Sequence, residues 1–210
     1  MNSKVLAAQL AAGLDALHLA LPSATQASLL DYVALLTKWN AAFNLTAVRE
    51  PAQMISRHLL DSLAIVPLLH GAGVLDVGSG AGLPGIPLAL ACPERRFVLL
   101  DSNGKKTRFM VQAVAELGLD NVDVVQARAE DYRAAGPFAT VVSRAFAALA
   151  DFLRLTAQLG DADTRWLAMK GEPPEQELAA VPAGFRVAAV HPLAVPGLDA
   201  RRCAVEIVRT

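Results

Sequence analysis

The sequence predicts an α/β fold: a mostly parallel β-sheet that is closed by a C-terminal antiparallel hairpin and preceded by a helical N-terminal cap. Residues 1–70 show helical periodicity. Over residues 74–170, short apolar runs alternate with amphipathic segments, a pattern typical of right-handed βαβ units. The strand-like runs at 185–190 and 202–208 have no helix between them, so they should pair antiparallel. We therefore expect a cap over residues 1–70 and a main domain over 71–210.

The composition indicates one packed domain with an appendage and restricts the possible partners. The chain has 210 residues, of which 54% are hydrophobic and 19% charged, far from a disordered composition. A net charge of −1 argues against a free-standing, non-specific nucleic-acid binder but allows a local basic surface. The longest apolar stretch contains Asp61 and Pro67 and is too short to span a membrane, and residues 1–10 lack a cleavable apolar segment. We therefore expect a cytoplasmic monomer without a membrane partner.

Two helices are predicted in the cap. Ser23 and Gln26 form the pattern of a capping box, in which two side chains satisfy exposed backbone N–H groups at the start of a helix. A second helix is predicted over residues 52–69, before the glycines that precede the main domain. The apolar stripe of the first helix comprises Leu29, Val33 and Leu36.

The main domain should contain five strands and three helices before the hairpin. Gly118 is placed to end one of these helices as a C-cap, because glycine tolerates the left-handed conformation found there. The strands are predicted at residues 74–77, 96–100, 122–125, 140–143 and 165–170, and the helices at residues 86–91, 105–117 and 147–159.

A glycine-rich loop follows the first predicted strand and opens a helix. Gly78, Gly80 and Gly82 let the backbone turn sharply and approach a ligand, and the helix start behind them offers free N–H groups. Residues 80–85 also fit the dinucleotide pattern G-x-G-x-x-G, so the loop alone leaves three alternatives open. These are a methyltransferase, a nicotinamide enzyme and a glycine turn that binds nothing.

Two acids and a proline favour the methyltransferase. Asp76 lies in the strand before the loop, where a carboxylate suits the ammonium of S-adenosylmethionine and would repel a pyrophosphate. Pro84 removes an amide donor that a pyrophosphate would need. Asp101 ends the next strand and can accept hydrogen bonds from both ribose hydroxyls of either cofactor. We therefore predict a class I (Rossmann-like) methyltransferase domain that binds S-adenosylmethionine.

The loop after the third strand is a further candidate for cofactor binding. Ala129 and Glu130 would lie beside the adenine, where a backbone N–H and a carboxylate can pair with nitrogens of the ring and the amino group. A solvated acidic turn explains the same residues equally well.

The segment after the fourth strand, where the methyl acceptor should lie, carries no evident catalytic base or nucleophile. It lacks an Asn/Asp-Pro-Pro-aromatic motif for amino groups, and neither Cys92 nor Cys203 is placed to attack a pyrimidine. Guanine N7 has a lone pair and no proton, so its methylation needs positioning and desolvation but no base. Arg144 could orient the guanine or a phosphate, hold the cofactor pocket, or form a structural pair with an acid such as Glu130.

Basic residues elsewhere suggest an RNA-binding surface, although solvated helix and loop faces explain them too. Cations at a helix start oppose the helix dipole, so their presence there hints at a use beyond stability. No pair of histidines has the spacing of metal ligands, so no metal is expected. A non-catalytic RNA-binding module remains an alternative, but the intact glycines and acids argue against it. The candidate RNA-binding residues are Lys105, Lys106, Arg108, Lys170, Arg201 and Arg202.

A series of motifs from Trp39 to the C-terminus resembles the bacterial small-subunit ribosomal RNA guanine-N7 methyltransferase family, also called glucose-inhibited division protein B. The resemblance implies a cytoplasmic enzyme that methylates N7 of guanine 527 in 16S rRNA, either free or in the small ribosomal subunit. It also implies cofactor contacts at Gly78, Leu83, Ala129, Glu130 and Arg144. The motifs are Trp39-Asn40, Phe43-Asn44-Leu45-Thr46, Arg57-His58-Leu59-Leu60-Asp61-Ser62, the segment from Asp76 to Pro87, Asp101-Ser102, Lys105-Lys106, Ser143-Arg144-Ala145-Phe146 and Lys170-Gly171.

Overall fold

Seven strands form one sheet in the order β3-β2-β1-β4-β5-β7-β6. Strands β1 to β5 run parallel to one another, and β7 runs antiparallel to both β5 and β6. The predicted fold is therefore confirmed. The computed structural model describes residues 3–210; Met1 and Asn2, at the start of the predicted cap, lie outside this range. The strands are β1 (Gly73–Val77), β2 (Arg96–Asp101), β3 (Val122–Gln126), β4 (Thr140–Arg144), β5 (Arg165–Lys170), β6 (Phe185–Pro192) and β7 (Cys203–Arg209).

Helices cover both faces of the sheet. Val74 points to a core that includes α1, α2, α5 and α6, whereas Leu75 points to the opposite core, which α7 covers. The hydroxyl of Tyr32 in α2 donates to the carbonyl of Ala81 at 2.7 Å, so the N-terminal helices also contact the glycine loop. The α-helices are α1 (Ser3–Ala16), α2 (Ser23–Phe43), α3 (Pro51–Met54), α4 (Asp61–Leu63), α5 (Gly85–Ala91), α6 (Gly104–Leu117), α7 (Leu149–Thr156) and α8 (Glu175–Ala179).

The predicted capping box at the start of α2 is wrong. Ser23 is the first helical residue and Pro22 occupies the N-cap position, with no side-chain cap bond. The Gln26 side chain instead donates to the carbonyl of Leu21 at 2.9 Å. A serine hydroxyl can cap only from the position before the helix, and here proline holds that position with an extended backbone.

The second helix predicted in the cap is helical but irregular. Between α3 and α4 lies a π-helical segment, Ile55–Leu60, and a 3₁₀ turn, Val66–Leu68, follows. A π segment inserts an extra residue into a helix and so rotates the following side chains relative to the preceding ones, and such segments are frequent at functional sites. The N-terminal helical region therefore departs from regular geometry close to His58 and Asp61.

Elements of the main domain start or end within about two residues of their predicted bounds, with two exceptions. The helix predicted at residues 147–159 is α-helical only over Leu149–Thr156, and a 3₁₀ turn, Ala157–Leu159, follows it. The second exception is α8, which was not predicted. Gly118 ends α6 in the left-handed conformation with φ of 63°, as its sequence position indicated. Within residues 3–210, no helix combines the length and the hydropathy that a membrane crossing requires.

Candidate active site

The glycine loop between β1 and α5 requires glycine for both conformation and space. Gly78, Gly80 and Gly82 have φ angles of 71°, 61° and 81°, in the left-handed region that other residues rarely adopt. A Cβ at Gly78 would lie 2.4 Å from Cδ2 of Phe146, which follows β4. The loop therefore packs against the end of β4 only because Gly78 has no side chain.

Asp101 connects the glycine loop to the start of α6. Its Oδ2 accepts a hydrogen bond from the backbone N–H of Gly80 at 2.9 Å, and its Oδ1 accepts one from that of Asn103 at 2.8 Å. Asn103 in turn caps α6 by accepting from the N–H of Lys105 at 2.9 Å. Lys106 places its Nζ 4.0 Å from Oδ2 of Asp101. A carboxylate oxygen accepts more than one hydrogen bond, so Asp101 keeps acceptor capacity toward a ligand.

A cleft of about 330 Å³, here called the loop cleft, lies between the glycine loop and the ends of β2 and β3. Four of the predicted cofactor-binding residues line it: Gly78, Asp101, Ala129 and Glu130. Nine further residues line the cleft without having been predicted as cofactor contacts, and among them Ser102 follows Asp101 directly and Arg128 directly precedes Ala129. Lys106, predicted to bind RNA, and Phe146, which lies two positions after Arg144, also belong to this set.

Four other predicted cofactor residues lie in or before the loop but do not line the loop cleft: Asp76, Gly80, Gly82 and Leu83. The carboxylate of Asp76 is fully buried beneath the loop, and its Oδ2 accepts from the N–H of Gly85 at 2.8 Å. Its Oδ1 has no hydrogen-bond partner within residues 3–210. Burial raises the pKa of Asp76 to about 7. Asp76 thus supports the loop from below, and its direct contact with a cofactor ammonium stays a prediction.

A second cleft of about 530 Å³, here called the cationic cleft, opens beside the first. Arg144 at the end of β4 donates through Nη1 to Oδ2 of Asp61 at 3.0 Å. Arg202, just before β7, donates through Nε to Oδ1 of the same carboxylate at 3.1 Å. Arg144 therefore pairs with an acid, as one alternative expected, but the acid is Asp61 and not Glu130. Arg144 is not among the residues that line the loop cleft, and its predicted contact with the cofactor stays a prediction. The charged side chains and the histidine in the wall of this cleft are Arg57, His58, Asp61, Arg144, Lys170 and Arg202.

The two clefts meet at the loop after β4. Ala145 lines both of them and has a φ of 54°, unusual for a residue with a Cβ. Such conformations persist where the surrounding structure determines them, and they are enriched at functional sites. Ligands that occupy the two clefts would therefore both lie beside Ala145.

The side chains of the cationic cleft that could act as bases already form hydrogen bonds or ion pairs with other groups of the protein. Burial lowers the pKa of His58 to about 4, and its ring nitrogens lie 2.9 Å from Oγ1 of Thr46 and 3.0 Å from the carbonyl oxygen of Arg57. Lys170 forms a 2.9 Å ion pair with Glu177. The carboxylate of Asp61 is held by two arginines. This arrangement agrees with the expectation of an acceptor that needs no proton removed.

The candidate RNA-binding residues fall into two groups. Lys105 and Arg108 are exposed on α6 near the loop cleft, whereas Lys106 lines that cleft itself. Lys170 and Arg202 belong to the cationic cleft. Arg201 is exposed beside Arg202.

Sequence reasoning missed the chemistry of Arg57, His58 and Asp61. These residues belong to the region that was predicted as a cap, and no chemical role was attached to them. The signal that could have revealed them is the run from Arg57 to Ser62, which is one of the motifs that carry the family resemblance.

Comparisons with known proteins identify the family of this chain. The family model described as rRNA small subunit methyltransferase G (GidB) matches residues 25–205. A protein named ribosomal RNA small subunit methyltransferase G from Pseudomonas paraeruginosa is 57% identical over 203 residues, which cover 96% of this chain and 95% of that protein. A protein of the same name from Pseudomonas fluorescens is 50% identical over 213 residues, which cover 100% of both chains.

Solved structures support the fold. The glycopeptide N-methyltransferase MtfA, in complex with S-adenosyl-L-homocysteine, superposes with a TM-score of 0.63 at 14% identity and covers 73% of this chain and 87% of its own. A methyltransferase from Geobacter sulfurreducens, also with S-adenosyl-L-homocysteine, has a TM-score of 0.56 at 14% identity and covers 84% of this chain and 98% of its own. At such identities the likeness concerns the fold alone.

Proposed function

The chain belongs to the rRNA small subunit methyltransferase G family, and from this premise we propose that it methylates N7 of a guanine in 16S rRNA, which the resemblance identifies as guanine 527. It is an S-adenosylmethionine-dependent enzyme, and the nicotinamide alternative is excluded. One observation carries the assignment of the two substrates: the loop cleft and the cationic cleft meet at Ala145. We assign the cofactor to the loop cleft and the target nucleotide to the cationic cleft, in a cytoplasmic monomer.

The residues of the loop cleft fit an adenosyl group. Gly80 donates to Asp101 at the edge of this cleft and has open space on the side where a Cβ would lie. Apart from its chain neighbours, only the Gly78 carbonyl oxygen and Nζ of Lys106 come within 4 Å of that position, each at 3.9 Å. Asp101 would accept from the ribose hydroxyls, and Ala129 with Glu130 would adjoin the adenine. S-adenosylmethionine supplies an electrophilic methyl group when it is bound. The chain's own contribution is to hold the nucleoside by carboxylates and by closely approaching backbone.

The cationic cleft fits a nucleotide that is attacked at a lone pair rather than at an N–H. Arg57, Arg144, Lys170 and Arg202 supply positive charge for phosphate oxygens. Neutral His58 is a weak base because its pKa is about 4, and guanine N7 carries no proton to remove. The chain therefore contributes orientation and exclusion of water, which together lower the barrier without proton transfer.

The pH dependence of single-turnover methyl transfer tests this function. With 16S rRNA or the small subunit and the cofactor both saturating, the rate should be nearly flat between about pH 6.5 and 8.5. Chemical cleavage at N7-methylguanine would map the modified position. Arg144→Ala should lower the rate equally at every pH, because a guanidinium does not titrate in this range. A rising limb of unit slope below neutrality that is also present in folded Asp76→Asn, in which position 76 no longer titrates, would point to an acceptor that loses a proton.

A further inference from the structure

One buried carboxylate joins three parts of the chain at the cationic cleft. The Asp61 side chain is only 4% exposed, and each of its oxygens accepts from a different arginine. Arg144 is 83 positions away in the sequence and Arg202 is 141 positions away. Both arginines are more exposed than the carboxylate, at 20% and 29%, so they extend from Asp61 toward the cleft.

The π segment before Asp61 contributes to the same arrangement. The carbonyl oxygen of Arg57, within that segment, accepts a second hydrogen bond from Nη1 of Arg144 at 3.0 Å. The backbone N–H of Asp61 bonds to the carbonyl of Ser56, five residues earlier, which is the spacing of a π turn. The irregular helix thus presents a carboxylate and a carbonyl to one guanidinium.

The hydrogen bonds that hold the two arginines leave Nη2 of each guanidinium available. Arg144 uses Nη1, and Arg202 uses Nε for Asp61 and Nη1 for the carbonyl of Arg201. Within residues 3–210, Nη2 of neither arginine makes a hydrogen bond. Because a guanidinium is planar and rigid, hydrogen bonds at its other nitrogens fix the direction of the Nη2 N–H groups, which suits the oxygens of a phosphate.

We propose that Asp61 is a positioning residue that holds Arg144 and Arg202 as a clamp for a phosphate of the target nucleotide. The helical region then supplies the anchor of the substrate site and is more than a cover for the sheet. This proposal rests on the proposed function, because it assumes that the cationic cleft holds the nucleotide.

A positioning role and a purely electrostatic role for Asp61 predict opposite effects when the carboxylate is removed. Removal of a negative charge from a cationic cleft should strengthen its attraction for RNA if charge alone matters. If Asp61 positions the arginines, its removal should slow the reaction even though the cleft becomes more positive. Asp61→Asn keeps the size and one acceptor oxygen of the side chain, removes the charge, and replaces the second acceptor by an NH2 donor, so one arginine loses its partner.

We expect Asp61→Asn to lower the single-turnover rate about tenfold to a hundredfold at saturating 16S rRNA and cofactor. The affinity for S-adenosylmethionine, measured by calorimetry, should stay within about twofold because neither Asp61 nor the two arginines that it holds, Arg144 and Arg202, line the loop cleft. A folded variant that keeps the wild-type rate would overturn the proposal. Failure of the proposed function looks different, since the wild-type protein itself would then leave N7 unmethylated.

Glu206 in β7 provides a matched control. It also bridges two side chains, with Oε1 at 3.4 Å from Nη1 of Arg165 and Oε2 at 2.7 Å from Nε2 of His191, and it lines neither cleft. Glu206→Gln should lower the melting temperature and leave the single-turnover rate unchanged. Equal rate losses in Asp61→Asn and Glu206→Gln would mean that Asp61 matters only for stability.

A double-mutant cycle keeps the proposal testable if Asp61→Asn is weakly folded. Arg202→Lys retains the charge but lacks the several N–H groups of a guanidinium that can bond to Asp61 and to a phosphate at the same time. It should therefore lower the rate by about tenfold in the wild-type background. In the Asp61→Asn background the same change should have a much smaller effect, because the clamp is already absent. Effects that simply multiply would show that the carboxylate and Arg202 act independently, and would contradict the proposal.

Discussion

The loop cleft and the cationic cleft adjoin each other but are assembled in different ways. The loop cleft is lined chiefly by residues at the ends of β1, β2 and β3 and the turns that follow them, so neighbouring residues in the sequence are neighbours in the cleft. The cationic cleft combines residues from the helical region, from β4 and β5 and from the segment before β7. A parallel sheet aligns strand ends automatically, whereas the second cleft depends on how separate elements pack.

Two buried carboxylates, one beneath the glycine loop and one in the wall of the cationic cleft, also differ in their partners. Asp76 beneath the glycine loop accepts one backbone N–H and has one oxygen without a partner in the described residues. Asp61 contacts two guanidinium groups. The first carboxylate thus supports backbone geometry, and the second organises charge. Three experiments test how the glycine loop, the carboxylate beneath it and the cations outside both clefts contribute to binding and stability.

Gly78→Ala should have the largest effect, because the loop cleft depends on backbone approach. The added Cβ would lie 2.4 Å from Phe146 and the residue would keep a φ of 71°, so the strain and the overlap together should weaken cofactor binding by about a hundredfold. Isothermal calorimetry with S-adenosylmethionine measures this loss. Gly118→Ala is the control, since Gly118 has a φ of 63° but nothing within 4 Å of the added carbon. Similar affinities in the two variants would argue against a tightly packed loop.

Asp76→Asn should reveal a pH-dependent contribution of the carboxylate beneath the glycine loop to the free energy of unfolding. The pKa of Asp76 is raised from 3.8 to about 7 in the folded protein, so the native state holds a proton that the unfolded chain has already released. The stability that this proton provides is fully present below pH 3.8 and is lost as the pH rises through about 7. Relative to Asp76→Asn, the wild-type free energy of unfolding should fall by about 1.5 kcal/mol between roughly pH 5.5 and 7.

Urea unfolding of both proteins at the two pH values measures this difference. The opposite contribution of His58, whose pKa is lowered to about 4, is present in both proteins and cancels in the comparison. A difference that stays constant with pH would show that Asp76 is ionised in the folded state throughout this range.

The smallest effect is expected for the cations outside both clefts. Lys105→Glu with Arg108→Glu should reduce the slope of log affinity for rRNA against log salt by about 0.7–0.9 for each phosphate that is no longer neutralised, because fewer counterions are released. Lys106 is left intact because it lines the loop cleft and lies close to Asp101. Filter binding over a range of salt concentrations measures the slope. Arg154→Glu with Arg186→Glu, on α7 and β6, is the control; equal slopes for both pairs would assign Lys105 and Arg108 to a solvated face.

Local sequence patterns were enough to predict the elements of the sheet and the cleft that depends on them. Apolar runs, helical stripes and Gly118 give local signals, and the position of Asp101 after a predicted strand was enough to place it beside the glycine loop. Local signals failed at the start of α2, where Pro22 displaced the expected cap. They also overlooked the π segment before Asp61, because its residues have the same apolar pattern as a regular helix.

The composition of the cationic cleft, in contrast, follows from the packing of distant segments. Nothing in the local sequence indicates that Asp61 meets Arg144 and Arg202, which are 83 and 141 positions away. The sequence indicated that Arg144 could pair with an acid, but Glu130 and Asp61 were equally available as residue types. The physical reason is that strand ends are brought together by backbone hydrogen bonds of fixed geometry, whereas an ion pair between distant segments depends on how the helical region packs against the sheet.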